Sequence, residues 1–208
     1  MTHTLHREGT LESLKGDYVV LAMPAQGYNV KGSGEKLQRV LKLAKHFNPV
    51  NIGENRATGS LAMFQYDTIA NSVKDGSIVN LVFDNPRAVT RFLRALKKED
   101  IGISIVVSGL LEEVKKCCHK AGLKPHTVNM SLGIHGKIDK LEPDKVRQIT
   151  TMCGHGMIPG ALVLDIVDKI KKGKITPEKA SHELCKPCIC GIFNPARSAI
   201  LLAEMAKD

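Results

Sequence analysis

Apolar and polar residues along this chain change rhythm near residue 139. Before that point, short continuous apolar runs alternate with stretches of helical periodicity. Tyr18–Met23 (YVVLAM) is bounded by Asp17 and Pro24 and predicts a buried strand. Pro49–Gly53 (PVNIG), Ile78–Phe83 (IVNLVF) and Ile103–Ser108 (ISIVVS) predict three more. His126–Leu132 (HTVNMSL) alternates, with Val128, Met130 and Leu132 on one side, and predicts a fifth strand near a sheet edge. Between these runs, Leu37, Val40, Leu41, Ala44 and Phe47 recur at helical spacing and predict a helix over Glu35–Phe47. Further helices are expected over residues 60–74, from Asn85-Pro86 with Asn as N-cap and Pro in the first turn, and over Leu110–Ala121.

Beyond residue 139 the strand signals stop. Helices are expected over Pro143–Met152 and Pro159–Lys172, from Thr176-Pro177 to Cys185, and from Asn194-Pro195 to the end. Five strands alternating with helices predict an α/β fold: a mostly parallel, five-stranded, Rossmann-like sheet with helices on both faces, followed by a C-terminal helical extension. The chain accordingly divides into an N-terminal arm (1–16), an α/β domain (17–138) and a cysteine-containing extension (139–208).

Composition narrows the class. The 208 residues are 43% hydrophobic and 25% charged, which suits a folded globular chain rather than a disordered one. Aromatic residues are scarce at 4% and Trp is absent, so the core must be aliphatic. No apolar stretch approaches the length of a transmembrane helix, and the first residues, MTHTLHREGTLESLKGD, show no signal-peptide core. A cytoplasmic protein without membrane contact is expected. The net charge is +9, with 14 of the 30 basic residues in the first hundred positions, so the excess is spread rather than gathered in a basic tail. Such a field attracts anions in general. Nucleic acid is the less favoured partner, because no zinc-finger, RRM or KH signature accompanies the charge.

A mostly parallel sheet would place a ligand beyond the carboxyl ends of its strands. The residues there are Gln26 and Asn29, Asn55, Asp84, and His135, with Asp84 and His135 as candidate acid–base groups. The loop GYNVKGSGEK has the Gly27-x4-Gly32 spacing of a phosphate loop but lacks its lysine and metal-binding hydroxyl. Gly32, Ser33 and Gly34 still enter a helix, where backbone N–H groups suit an anion. Arg197, at the start of the last helix, could hold a carboxylate or phosphate with a forked grip, or make a salt bridge. His3 and His6, in HTLHR, would share a face only if the arm were helical.

The cysteines carry the sharpest signal. Cys117 and Cys118 complete the apolar stripe of their helix and read as core. Cys185, Cys188 and Cys190 form C-x2-C-x-C around Pro187 and Gly191, and Cys153 lies in CGHG at a break between helices. Thiolates are soft ligands for zinc or an iron–sulfur cluster, and clusters normally take four. Cys153, Cys185, Cys188 and Cys190 are therefore candidate metal ligands, with His155 as the candidate proton-transfer group; buried structural cysteines are the competing reading.

The tail MCGHGMIPG…GKITPEKA…CKPCICGIFNPARSAILL resembles that of a protein family from anaerobic archaea and bacteria, a resemblance that implies no particular activity. VLDIVDKIKKGKITPEK, under a tenth of the chain, is similar to the C-terminal region of methyl-coenzyme M reductase operon protein C and carries no cysteine motif or catalytic residue across. Together these imply anaerobic metabolism, where exposed clusters survive. The expected function is a metal or iron–sulfur protein, either an enzyme or a cofactor-maturation factor, acting on an anionic small molecule. A homodimer or a protein partner is compatible with it. A metal-free Rossmann-like protein using the glycine loop for an anionic ligand is the alternative; a nucleic-acid-binding module is the weaker one.

Overall fold

The computed structural model describes residues 2–55 and 59–207. Its five strands are β1 (Tyr18–Met23), β2 (Asn51–Glu54), β3 (Gly59–Ser60), β4 (Val79–Phe83) and β5 (Ser104–Ser108). They form one sheet in the order β3-β2-β4-β1-β5, and every neighbouring pair is antiparallel. The expectation of a mostly parallel Rossmann-like sheet is thereby overturned. The helices are α1 (Leu11–Leu14), α2 (Ser33–Ala44), α3 (Tyr66–Ser72), α4 (Pro86–Glu99), α5 (Leu111–Lys120), α6 (Asp144–Thr150), α7 (Gly160–Lys171), α8 (Pro177–Cys185) and α9 (Pro195–Met205).

The correction has a clear origin. β1 and β2 do run in the same direction, joined through α2, but β4 lies between them. Likewise β4 and β5 run together through α4, with β1 inserted between them. Two β-α-β units are thus split and interlocked, the ferredoxin-like pattern. Helical crossovers and apolar runs look the same in either arrangement, because an apolar run reports burial on two faces and not strand direction.

Both faces are indeed covered. Tyr18, Val20, Leu81 and Phe83 point into a core built with α2, α3, α4 and α5. Val19, Leu21 and Val82 point the other way, into a core built with the C-terminal helices and the cysteine loops. Local signals set the helix starts: the side chains of Asn85, Thr176 and Asn194 accept N–H groups from Ala88, Lys179 and Arg197, and Pro follows each.

Two elements differ further from expectation. Residues 59–60 pair with β2 as a short strand, so helix α3 begins only at Tyr66. His126–Leu132 joins no strand; the segment is exposed throughout and runs without regular structure to Ile138.

Candidate functional site

The split topology separates the strand ends. Gln26, Asn29 and Asn55 follow β1 and β2 at one end of the sheet, whereas Asp84 follows β4 at the other. A five-residue strand, roughly 17 Å long, lies between the two sets. No single crevice therefore collects them. Asn29 accepts the Ala25 N–H at 2.6 Å and donates to the Gly102 carbonyl at 3.0 Å. Asn55 accepts the Ile78 N–H at 2.8 Å. Asp84 is exposed beside Asn85, and Gln26 is exposed. His135 is exposed and meets the Leu132 carbonyl at 3.0 Å.

The glycine loop already has an anion. The Gly32 and Gly34 N–H groups donate to the two carboxylate oxygens of Asp75, at 2.8 and 2.7 Å. Those bonds hold the Asp75 carboxyl below its ordinary range. Ser33 accepts the Gly76 N–H at 2.9 Å, which closes the same turn. Arg197 is buried and committed inward: it donates to Asp17 and Ser13, each at 2.9 Å, and to the Glu8 carbonyl at 2.5 Å.

The cysteines behave differently. Cys153, Cys185, Cys188 and Cys190 are all buried in the core on the sheet's second face, whereas Cys117 belongs to the first. Cys153 lies near enough to Cys188 for the two thiols to perturb each other's ionisation. The Cys188 and Cys190 sulfurs are 4.0 Å apart, and Cys190 Sγ lies 3.6 Å from His155 Nδ1. With metal–sulfur bonds of about 2.3 Å and metal–nitrogen bonds of about 2.05 Å at tetrahedral angles, two ligands of one zinc would be about 3.8 Å apart for S···S and about 3.6 Å for N···S. Both pair spacings are close to those edges. Among the described residues, no three His, Cys, Asp or Glu side chains form a ready-made ion cage, so the agreement is pairwise.

The sheet holds this loop through residues that pattern reading passes over. Asn51, Gly53, Ser60 and Asn80 sit at paired register positions of β2, β3 and β4. Asn51 Nδ2 donates to Cys185 Sγ at 3.1 Å and to the Phe193 carbonyl at 2.9 Å. Its Oδ1 accepts the Leu61 N–H at 3.3 Å, which fixes the amide's orientation. Asn80 Nδ2 donates to the Cys190 carbonyl at 2.8 Å. Gly53 lies directly under Cys190 and Gly191, where a Cβ would be 2.6 Å from the Gly191 nitrogen. Gly191 itself has φ +70°, the left-handed region that glycine enters at little cost. The available signal was polar Asn inside strand segments otherwise apolar.

The N-terminal arm closes the site from the other side. Arg7 is paired with the fully buried Asp17 and donates to the carbonyls of Met152 and Ile192, so one guanidinium ties both cysteine loops together. Asp17 also meets Arg197, and Asn194 Nδ2 donates to it at 3.0 Å. Burial alone would raise the Asp17 carboxyl, but Arg7 and Arg197 outweigh it and hold the group below the carboxylate range. His3 stacks on His155 with ring centroids 4.5 Å apart and planes 18° from parallel. Burial first, then neighbouring positive charge, lowers His3 to about 4.

Burial and Cys188 push Cys185 up to about 12, against the opposing effect of Ser60 and Asn51. Cys188 also reaches about 12: the neighbouring Cys153 favours the thiolate, but Cys190 and burial prevail. Cys153 is raised by the neighbouring Cys188 and by burial. Cys190 is lowered by its bond with Cys188, against burial. Burial thus favours the neutral thiol at Cys153, Cys185 and Cys188, whereas Cys190 is the thiol whose ionisation is eased. A bound cation would displace those protons. No helix among the described residues is long and apolar enough to cross a membrane. No family model, curated protein or solved structure matches this chain.

Proposed function

We propose that this chain is a metal or iron–sulfur protein whose centre is held by Cys153, Cys185, Cys188 and Cys190, in keeping with the anaerobic resemblance of its tail. The observation that carries the reading is the burial of cysteines from two separate loops in one core, where His155 of one loop meets the Cys190 sulfur of the other at 3.6 Å, against a sheet face that supplies an N–H donor to a sulfur. Soft donors suit zinc or an iron–sulfur cluster, and hydrogen bonds to sulfur tune such centres. His155, exposed and 3.6 Å from the Cys190 sulfur, would pass protons between that sulfur and solvent. An anionic substrate would approach at His155, since the glycine loop is closed by Asp75.

The test is elemental analysis and a visible absorption spectrum on protein purified without oxygen, and again after supplying Fe²⁺ with sulfide, or Zn²⁺. Stoichiometric iron or zinc that is lost in Cys188→Ala and kept in Cys117→Ala supports the proposal. A folded Cys188→Ala protein with full metal content overturns it. So does wild-type protein that takes up neither metal.

A further inference from the structure

The fifth strand of the sheet has an open side. Among the described residues β5 pairs with β1 alone and forms the end of the strand order. Its sequence, SIVVS, is apolar enough for an interior strand, yet Ile105, Val106 and Val107 are only half-buried. Alongside it lies a groove of about 800 Å³. One wall is β5, and the other is the segment Pro125–Ser131. That segment has the alternation of a strand but no strand partner, and among the described residues its backbone enters no backbone–backbone hydrogen bond. Val128 and Met130 are 50% and 66% exposed. Two unpaired backbones thus face one slot. An extended chain placed there would pair with β5 and extend the sheet, in the way edge strands take up peptides.

The groove's charge chooses the occupant. Lys97, Lys115 and Lys124 line it with Asp100, while Arg7 and Asp17 at its inner end neutralise each other, so the balance is positive. Lys115 is paired with Glu112 and Lys97 donates to the Gly122 carbonyl, while Lys124 has no carboxylate partner among the described residues. The chain as a whole carries +9, so a second copy would bring like charge. We infer that the slot between β5 and Pro125–Ser131 receives an extended, acidic segment of a partner protein, with alternate apolar side chains directed to the core below β5. The inference is independent of the cysteine reading, although the groove ends at the N-terminal arm, where Thr4 meets Ser108 at 2.6 Å and Arg7 reaches the cysteine loops.

The experiment uses two labelled seven-residue peptides with blocked ends, Val-Glu-Val-Glu-Val-Glu-Val and its counterpart with Lys in place of Glu. Fluorescence anisotropy reads their binding to the full chain, and hydrogen exchange reads where they sit. Saturable binding of the acidic peptide is expected, at least tenfold tighter than its lysine counterpart, with new amide protection in Ser104–Ser108 and 125–131. The double variant Lys97→Gln, Lys124→Glu, both positions on the surface, should weaken that binding at least tenfold, and its unfolding midpoint should stay near wild type because the Gln amide can still donate to the Gly122 carbonyl. Failure of the acidic peptide to bind, equal binding of the two peptides, or protection confined to other segments would overturn the inference. So would a concentration-dependent dimer that protects β5 in the absence of peptide, because the occupant would then be a second copy.

Discussion

Gly53→Ala is the sharpest probe of how the sheet seats the cysteine loop. A methyl group at residue 53 would stand 2.6 Å from the Gly191 nitrogen and press on the Cys190 carbonyl, both main-chain atoms that cannot rotate away. Neither partner can yield alone: Gly191 sits at φ +70° in a tight turn, and Gly53 is locked between β3 and β4. Inserting one carbon into such a contact costs about 1–3 kcal/mol. Lifting the loop also strains the bond from Asn80 to the Cys190 carbonyl, worth about 0.5–1.5 kcal/mol. The sum is about 1.5–4.5 kcal/mol, which a domain with about 5–15 kcal/mol of stability survives. Tm should fall by roughly 5–15 °C for a chain of this size. The assay is urea unfolding under reducing, oxygen-free conditions, beside the rate at which a disulfide reagent labels the buried thiols. Gly16→Ala is the control, since a Cβ there meets the Asp84 carbonyl at an ordinary 3.4 Å. Its midpoint should stay within about 0.5 kcal/mol of wild type. Gly53→Ala should unfold earlier and label faster at Cys188 and Cys190. A Gly53→Ala protein with the wild-type midpoint and wild-type labelling would refute the claim that close backbone approach seats the loop.

Two further outcomes follow from the buried polar groups. Asp17→Asn leaves the Arg7 and Arg197 guanidiniums facing each other without a counter-charge, which should cost about 3–5 kcal/mol in urea unfolding. Because the folded Asp17 pKa lies below its unfolded value of about 3.9, its contribution is present above that pH and is lost as pH falls through the folded value. Wild type should therefore lose stability below about pH 4 more steeply than Asp17→Asn, and parallel pH profiles would contradict the assignment. Asn51→Leu removes the donor to the Cys185 sulfur and leaves the Phe193 carbonyl unpaired, at a cost of about 1–3 kcal/mol. In protein loaded with a cluster, the same change should move the reduction potential to more negative values, because a lost N–H donor destabilises the added electron; voltammetry reads the shift.

Much of the local structure was legible in the chain. The apolar run Tyr18–Met23 forms a strand with those bounds, and the Asn-Pro and Thr-Pro pairs open helices as capping chemistry requires. Cys117 packs in the core of its own helix, as its place in an apolar stripe implied. These features depend on a residue and its near neighbours, so sequence spacing contains the information. Strand direction does not: both arrangements bury apolar strands on two faces, and whether β4 slips between β1 and β2 depends on contacts across 60 residues. Gln26 and Asp84 lie at opposite ends of the sheet for that reason, since they share an edge only if the strands are parallel. The fate of His126–Leu132 was also out of reach, because alternation prepares a strand but pairing needs an edge at the right distance. Chemistry at a distance divides in the same way. C-x2-C-x-C announced soft donors. Only the tertiary structure brought Cys153 to them across more than 30 residues, laid His3 on His155, and recruited Asn51, Asn80 and Arg7 to hold the loops. Such contacts are fixed by packing of the C-terminal helices on the sheet, and no local spacing encodes that.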